Sequence, residues 1–442
     1  MDSRRKAANG EHLSVKTATA DRYATLRRVG TVTLSIVSLL ACFWLTGPTS
    51  GSPAAARFSR GIAIAHVMGW AQVEPAPSTQ FSFPPFRGSG RSLAHEELIA
   101  LRRAGFDFVR LAVDPGPFLQ FESRRRDMLD AIMADHVRLI LSSGLSVIID
   151  FHPSDLHSTY TSQALTTAVH ADRFQAYLDL LGRTAALLAT MESGRVALEI
   201  MNEPPIRTSA WQPMLEAAYA AIRIRARNLP IVVSGGEEGS AQGLIRIATR
   251  AFAADIGVLF SFHFYDPYQF THQGASWNAA RYLADVPYPA NARPMEESVR
   301  ATTDLIEVTG LPQPAKRNAY LDALNQLQSY RRSGFSRATI AHTFERVERW
   351  AQDNGIPSSR ILLGEFGAMR TERQRAQPAA SERTNWFRDV REEAEERGFG
   401  WAVWVYHDSG GFSLTEAQSG TGMDPAVIAA LGLTGRPHTD SR

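Results

Sequence analysis

The chain has 442 residues, of which 44% are apolar and 21% are charged, so it contains enough apolar material for a large core. Its formal net charge is +2, but the first 56 residues hold seven Lys or Arg against three Asp or Glu, which leaves the remainder near −2. This balance gives no basic face for nucleic acid, and we expect none to bind.

Residues 1–56 have the pattern of an export signal followed by a linker. Basic residues up to Arg28 precede an apolar run over residues 29–45, and Ala54-Ala55-Ala56 follows a Pro/Ser/Gly stretch. A basic flank, an apolar run and a small-residue site predict a cleaved signal peptide. An uncleaved inner-membrane anchor through residues 29–45 is the alternative, because the run is just below the usual spanning length. Both interpretations predict an exported protein, either periplasmic or secreted.

The only cysteine is Cys42, which lies in the apolar run. The exported part therefore has no thiol for a disulfide or a thiolate metal site. A large apolar core must hold it together unaided. We expect a monomer.

Eight segments after the linker have the composition of strands. Each is a short, continuous apolar run, which is typical of strands covered on both faces. The predicted strands are Gly61–Val67, Phe106–Val113, Ser146–His152, Val196–Asn202, Pro230–Gly235, Val258–Tyr265, Ile361–Phe366 and Trp401–Tyr406.

Helical patterns separate these strands. Three are well marked, over Met128–Ser142, Pro213–Leu229 and Ile340–Asp353, and each stops at or just before a glycine or proline. Strands that alternate with helices eight times predict an α/β fold, a (β/α)8 TIM barrel, over residues 57–433. Residues 434–442 form a polar tail.

One region departs from this alternation. Residues 266–336 separate the sixth and seventh strands and are rich in Pro, Tyr and polar residues. An insertion this long at the catalytic end of a barrel predicts either a functional lid or a small inserted subdomain.

Two strands end in a glutamate. The fourth continues into Asn202-Glu203-Pro204, and the seventh contains Glu365 in the string Gly-Glu-Phe-Gly. A single glutamate at a strand end is commonly a solvated loop acid or an ion-pair partner. Two carboxyls at one end of a barrel are what glycoside hydrolysis requires, because one protonates the leaving oxygen and the other attacks or activates water.

The other strand ends carry polar and aromatic residues in a recognisable order: Arg110 on strand two, His152 on strand three, His263 and Tyr265 on strand six, and Trp404 on strand eight. The first strand begins Arg60-Gly61-Ile62-Ala63-Ile64-Ala65-His66 and is followed by Gly69-Trp70. Together these motifs resemble glycoside hydrolase family 5, the cellulase-type family of retaining enzymes, over roughly residues 60–410.

The resemblance implies a double displacement with no metal and no cofactor. Glu365 would be the nucleophile and Glu203 the general acid/base. Arg110 and Tyr265 would hold Glu365, and Asn202 would bind the sugar 2-hydroxyl.

The remaining strand-end residues would contact the substrate. His152 and His263 would position the sugar at the cleavage point, and Trp404 would stack on it. Tryptophans 70, 211 and 277 either line further sugar subsites or pack in the core.

A polysaccharide or oligosaccharide is the expected substrate, with β-glucan favoured and β-mannan or an exopolysaccharide as alternatives. Transglycosylation would use the same intermediate. Two other classes remain open. A metal-dependent barrel hydrolase would use His152, Glu203, His263 and Glu365 as ligands, and a non-catalytic protein would bind carbohydrate in the same cleft.

Overall fold

A computed structural model describes residues 57–75, 77–88, 91–192, 194–370, 378–407, 411–415 and 422–433. The predicted export segment and the polar tail lie outside these residues, so both stay predictions. None of the described helices combines the length and the apolar character needed to cross a membrane.

Eight parallel strands close into one barrel, in which each strand pairs with the next and β8 pairs with β1. The strands are β1 Arg60–Met68, β2 Phe108–Val113, β3 Ser146–Phe151, β4 Val196–Glu199, β5 Ile231–Ser234, β6 Val258–Phe264, β7 Ile361–Phe366 and β8 Gly400–Val403. The TIM-barrel prediction is therefore confirmed.

Helices surround the barrel and cover the outward faces of the strands. They are α1 His95–Ala104, α2 Gly116–Gln120, α3 Ser123–Ser142, α4 Ser162–Leu165, α5 Asp172–Leu188, α6 Thr208–Arg225, α7 Ala241–Leu244, α8 Tyr268–Thr271, α9 Met295–Glu307, α10 Gln313–Ser333, α11 Arg337–Asp353, α12 Ala380–Glu396 and α13 Pro425–Ala430.

The lower end of the barrel interior is filled by apolar side chains, which we call the apolar layer. Its members are Phe58, Phe108, Ile148, Ala197, Val232, Leu259, Leu362 and Ala402. Gly61 is required here, because a Cβ atom at this position would lie 2.2 Å from the Phe108 ring. The layer closes the barrel below the site.

Side chains of a strand alternate between its two faces, so the residues two positions further along also point inward. On β2, β3, β4 and β6 these residues are Arg110, Asp150, Glu199 and Ser261, and none is more than 1% exposed. We call Arg110, Asp150 and Glu199 the charged layer, and the uncharged Ser261 lies at the same level. The charged layer lies directly under the strand ends that carry His152, Glu203 and His263.

Two predicted strands extend three residues past their observed ends, whereas the C-terminal ends of the other predicted strands agree to within one residue. The fourth ends at Glu199, not at Asn202, and the eighth ends at Val403, not at Tyr406. After β4 the chain turns sharply, and Glu203 adopts a left-handed φ of 43°. Apolar composition continues through these turns because they pack against the barrel, and so composition alone overestimates the strand length.

The helix predicted over Pro213–Leu229 is α6, Thr208–Arg225, so Pro213 lies inside the helix. The prediction treated Pro213 as a helix start. The first turn forms because Thr208 and Trp211 are buried, and the indole N–H of Trp211 donates to the Ser234 carbonyl at 3.0 Å.

The insertion between β6 and β7 is confirmed and contains α8, α9 and α10. Arg293 anchors it, donating to Asp285, to Glu297 and, at 2.7 Å, to Glu382 of α12. The Tyr288 hydroxyl donates to Asp389 of the same helix at 2.7 Å. These contacts attach the insertion to α12, and its role as a lid or as a small inserted subdomain stays a prediction.

Candidate active site

Glu365 lies at the end of β7 with a side chain only 4% exposed. Arg110 Nη1 donates to its Oε1 at 2.5 Å, and the Tyr265 hydroxyl donates to its Oε2 at 2.8 Å. The residue before Glu365 is Gly364, and a larger residue would not fit there. A Cβ there would lie 2.3 Å from Ser261 Oγ and 3.2 Å from His263 Nε2.

The surroundings of Glu365 favour its ionised form. Burial alone would raise the pKa of its carboxyl, but the charges of His263 and Arg110, with the Tyr265 hydrogen bond, outweigh burial and lower it. Burial and the Glu365 charge also raise the pKa of Tyr265 well above its ordinary value, so its hydroxyl remains a donor.

Arg110 connects Glu365 to the charged layer. Its Nε and Nη2 donate to the two oxygens of Glu199 at 2.7 and 2.9 Å, and Nη2 lies 3.0 Å from Asp150 Oδ2. Burial alone would lower the pKa of Arg110, but the three carboxylates raise it well above its ordinary value. The charged guanidinium of Arg110 thus fixes the Oε1 side of the Glu365 carboxylate.

Glu203 lies in the loop after β4 and has a more open environment. Its side chain is 36% exposed, and its Oε1 accepts a hydrogen bond from His263 Nδ1 at 2.9 Å. The same nitrogen lies 3.6 Å from Glu365 Oε2. One imidazole edge therefore faces both carboxylates.

The distance between the two carboxylates distinguishes glycosidase mechanisms. One oxygen of Glu203 and one oxygen of Glu365 lie within 4.8 Å of each other. Retaining enzymes have carboxyls about 5–5.5 Å apart, and inverting enzymes about 6.5–9.5 Å apart. So short a separation favours direct attack by one carboxylate over attack by an intervening water.

His152, Asn202 and Trp404 follow β3, β4 and β8, and they are linked to one another by contacts through His152. His152 Nδ1 donates to Asp150 at 2.8 Å, and the Asn202 amide nitrogen lies 3.2 Å from His152 Nε2. The Asn202 carbonyl accepts from Arg110 Nη2 at 2.9 Å, which fixes its orientation. Trp404 lies parallel to His152 at 5.3 Å and 14°. All eight predicted site residues therefore lie around one cleft.

Sequence reasoning assigned no role to Asp150, Glu199 or Ser261. Asp150 and Glu199 are register partners on adjacent strands, each directly below a predicted site residue. A signal was present, since a carboxylate within an apolar strand needs a buried cation and Arg110 was the available one. Ser261 gave no such signal. Within the described chain its Oγ has no hydrogen-bond partner.

Other aromatic residues lie at different distances from the cleft. Trp70 contacts His152 edge-on at 5.5 Å, which places it in the cleft wall. Trp277, in the insertion, is 60% exposed and contacts His272. Trp211 is fully buried against β5 and takes no part in the site.

The two groups Asp150–His152–Glu365 and Glu203–His263–Glu365 each bring three ligand atoms within 4.8 Å of one another. Arg110 contacts the carboxylates of Asp150 and Glu365. This cation opposes a divalent ion at the same oxygens by repulsion. The donors therefore serve a network of hydrogen bonds and ion pairs.

A (β/α)8 barrel whose cleft presents two carboxylates at this spacing has the architecture of a retaining glycosidase. Residues 76–410 match the cellulase family, glycosyl hydrolase family 5, and the chain belongs to that family. The predicted resemblance is confirmed.

Similar proteins include endoglucanase 3 of Fibrobacter succinogenes, which is 25% identical over 66% of this chain and 40% of its own length. Endoglucanase C of Acetivibrio thermocellus is 22% identical over 71% of this chain and 84% of its own length. Cel5A of Thermotoga maritima, solved with cellobiose, has a TM-score of 0.59 at 20% identity and covers 86% of this chain and 98% of its own. The same enzyme has been solved with mannotriose. The chain thus spans less than half of the Fibrobacter enzyme.

Proposed function

We propose that this protein hydrolyses β-glycosidic bonds in a β-glucan with retention of configuration, using Glu365 as the nucleophile and Glu203 as the general acid/base. The observation that carries the proposal is the spacing of the two carboxylates, within 4.8 Å around His263. Their unequal surroundings support these roles, because Glu365 is held ionised and Glu203 is more exposed.

In the first step the Glu365 carboxylate attacks the anomeric carbon, and the bond from that carbon to the leaving oxygen breaks. Glu203 gives its proton to that oxygen. The guanidinium of Arg110 and the hydroxyl of Tyr265 fix the nucleophile in position, which lowers the entropic cost of attack. A covalent glycosyl-enzyme results.

In the second step Glu203 takes a proton from water, and the oxygen of that water attacks the anomeric carbon. The bond to Glu365 breaks, and its carboxylate returns to Arg110. Another sugar hydroxyl in place of water would give transglycosylation by the same route.

The side chains around the nucleophile have matching tasks. Asn202, fixed by Arg110 and His152, presents its amide to the 2-hydroxyl of the sugar being cleaved. Trp404 offers an aromatic face for the same sugar. A groove of about 400 Å³ beside Trp70, lined also by Gln72, Arg91 and Leu156, offers room for further sugar units.

The family and the two endoglucanases support β-glucan as the substrate. β-Mannan is the second candidate, because Thermotoga Cel5A has been solved with mannotriose. Export is part of the proposal, since such polymers lie outside the cytoplasm. Attachment through residues 29–45 and the monomeric state stay predictions.

The test is a chromatographic assay of products from β-1,3-, β-1,4- and mixed-linkage glucans, β-mannan and a bacterial exopolysaccharide. The full-length protein should cleave a β-glucan, and the Glu365→Gln variant should not. Binding of a glucan with no product from any polymer or from an activated aryl glycoside would support a non-catalytic carbohydrate-binding protein instead.

The roles are separated by azide. Glu203→Ala should regain turnover with azide and give a glycosyl azide of retained configuration. An azide product of inverted configuration from this variant would mean that the two roles are exchanged.

A further inference from the structure

The loop after β5 contains two adjacent glutamates in a rare backbone conformation. Glu237 and Glu238 have φ of 60° and 59°, and Gly239 follows at 65°. Non-glycine residues rarely adopt this conformation and persist in it only where the surroundings fix them. The fixing contacts here are hydrogen bonds from the N–H groups of Glu237 to the Ile206 carbonyl and of Glu238 to the Pro204 carbonyl, at 2.8 and 3.0 Å.

This loop lies directly against the proposed acid/base. Pro204 is the residue after Glu203. A Cβ at Gly239 would lie 3.7 Å from both Glu203 Cγ and His263 Cγ, and the His263 N–H donates to the Gly239 carbonyl at 2.8 Å. Glu238 is thus the sequence neighbour of Gly239, whose backbone contacts Glu203 and His263.

The two glutamate side chains have different partners. Both oxygens of Glu237 accept from Arg246 Nη1 at 2.6 Å. Glu238 is exposed, and its carboxylate has no hydrogen bond or ion pair within the described parts of the chain. Burial raises the pKa of Tyr268 in the insertion, and the charges of Glu238 and Glu203 raise it further.

A general acid faces the oxygen that leaves, so the exposed side of Glu203 is the side on which the departing sugar lies. The Glu238 N–H donates to the carbonyl of Pro204, the residue after Glu203, so Glu238 lies beside this acid. We propose that Glu238 is a specificity-determining residue, whose carboxylate accepts hydrogen bonds from hydroxyls of the departing sugar. The inference rests on the proposed function and extends it to the leaving-group side of the cleft.

A carboxylate is a strong acceptor for two neighbouring hydroxyls, and a site built to bind hydroxyls discriminates against substrates that lack them. Glu238→Ala should therefore lower kcat/KM for cellotetraose by about 10-fold. It should leave kcat/KM for nitrophenyl β-cellobioside within about 2-fold of the parent, because that substrate places no sugar on the leaving side. Glu238→Gln, which keeps one acceptor oxygen, should fall between the two.

Glu237→Ala is the matched control, since it removes a neighbouring carboxylate with the same backbone conformation and a different partner. Glu237→Ala should leave kcat/KM unchanged for both substrates. Equal losses on both substrates with Glu238→Ala, or no loss on cellotetraose, would overturn the inference. A parent protein inactive on both would overturn the proposed function and this inference with it, whereas a loss in the variant that is confined to cellotetraose supports both.

Discussion

The apolar layer and the charged layer are built by the same strands, two residues apart, and are buried to the same degree. Phe108 and Ile148 in the lower layer stabilise the fold simply by leaving water. Arg110, Asp150 and Glu199 above them are costly to bury and are stable only as a paired network. One alternation along a strand therefore supplies both a hydrophobic plug and a rigid base for chemistry.

The same contrast distinguishes the two proposed catalytic carboxylates. Glu365 stands on the charged layer and is held by Arg110 and Tyr265, whereas Glu203 lies in a loop with a half-open side chain. A nucleophile must stay ionised and aligned, and an acid/base must exchange its proton with leaving group and water. The contacts that hold Glu365 therefore suit a nucleophile, and the exposure of Glu203 suits an acid/base.

The largest effect should come from the nucleophile. Glu365→Gln should lower kcat by about 10⁴-fold or more, because no covalent intermediate can form. The free energy of unfolding should change far less than kcat, since the amide occupies the same volume. Turnover near the parent's rate would remove Glu365 from its assigned role.

The next prediction sets the two layers against each other. Arg110→Met leaves three buried carboxylates without their cation, and Phe108→Ala leaves a cavity. Each should lower the free energy of unfolding by about 3–5 kcal/mol in urea denaturation.

Activity measured per folded molecule separates them. Arg110→Met should lose most of it, and Phe108→Ala should keep it, because the apolar layer touches no reacting group. If Phe108→Ala lost as much activity as Arg110→Met, the two layers would not be functionally distinct.

The pH dependence follows from the lowered pKa of Glu365. The acid limb of kcat/KM on an aryl cellobioside should lie below the ordinary value of 4.5 for glutamate. Tyr265→Phe removes a hydrogen bond to the ionised carboxylate, so the limb should shift to higher pH. An acid limb that does not move in this variant would contradict the proposed hydrogen bond.

Stability should depend on pH through the same residues. Glu365 has a lowered folded-state pKa, so its contribution is complete above 4.5 and is lost as pH falls through the folded value. Burial lowers the pKa of His263, but Glu365 and Glu203 raise it overall, so its contribution is complete below 6.5 and is lost as pH rises through the folded value. These two residues together favour maximal stability between 4.5 and 6.5.

The smallest effect should come from chelation. Arg110 already contacts Asp150 and Glu365, two of the carboxylates that a metal would need, so EDTA should leave kcat/KM unchanged. A loss of activity that a divalent cation restores would support the metal-dependent alternative.

The barrel was predictable because each of its strands is buried on both faces and is therefore continuously apolar. The ends of β4 and β8 were not predictable, because the turns that follow these strands are also apolar and buried. Pro213 misplaced the start of α6 because burial of Trp211 outweighed a local rule for proline.

At the site, order along the chain was enough to bring all eight predicted residues to one cleft. The partners beneath them were harder to assign, because Asp150 and Glu199 act through Arg110 and their role depends on register between strands. Glu238 could not be singled out from sequence. The two glutamates differ because Glu237 contacts Arg246 and Glu238 does not, and this difference depends on the backbone path of one turn.

The most direct test of the central claim is the anomeric configuration of the first product. Proton NMR should follow the hydrolysis of cellotetraose before mutarotation. The spacing of Glu203 and Glu365 predicts that the β-anomer appears first and the α-anomer only later. An α-anomer at the earliest time points would mean that water attacks directly, and it would contradict the double displacement on Glu365.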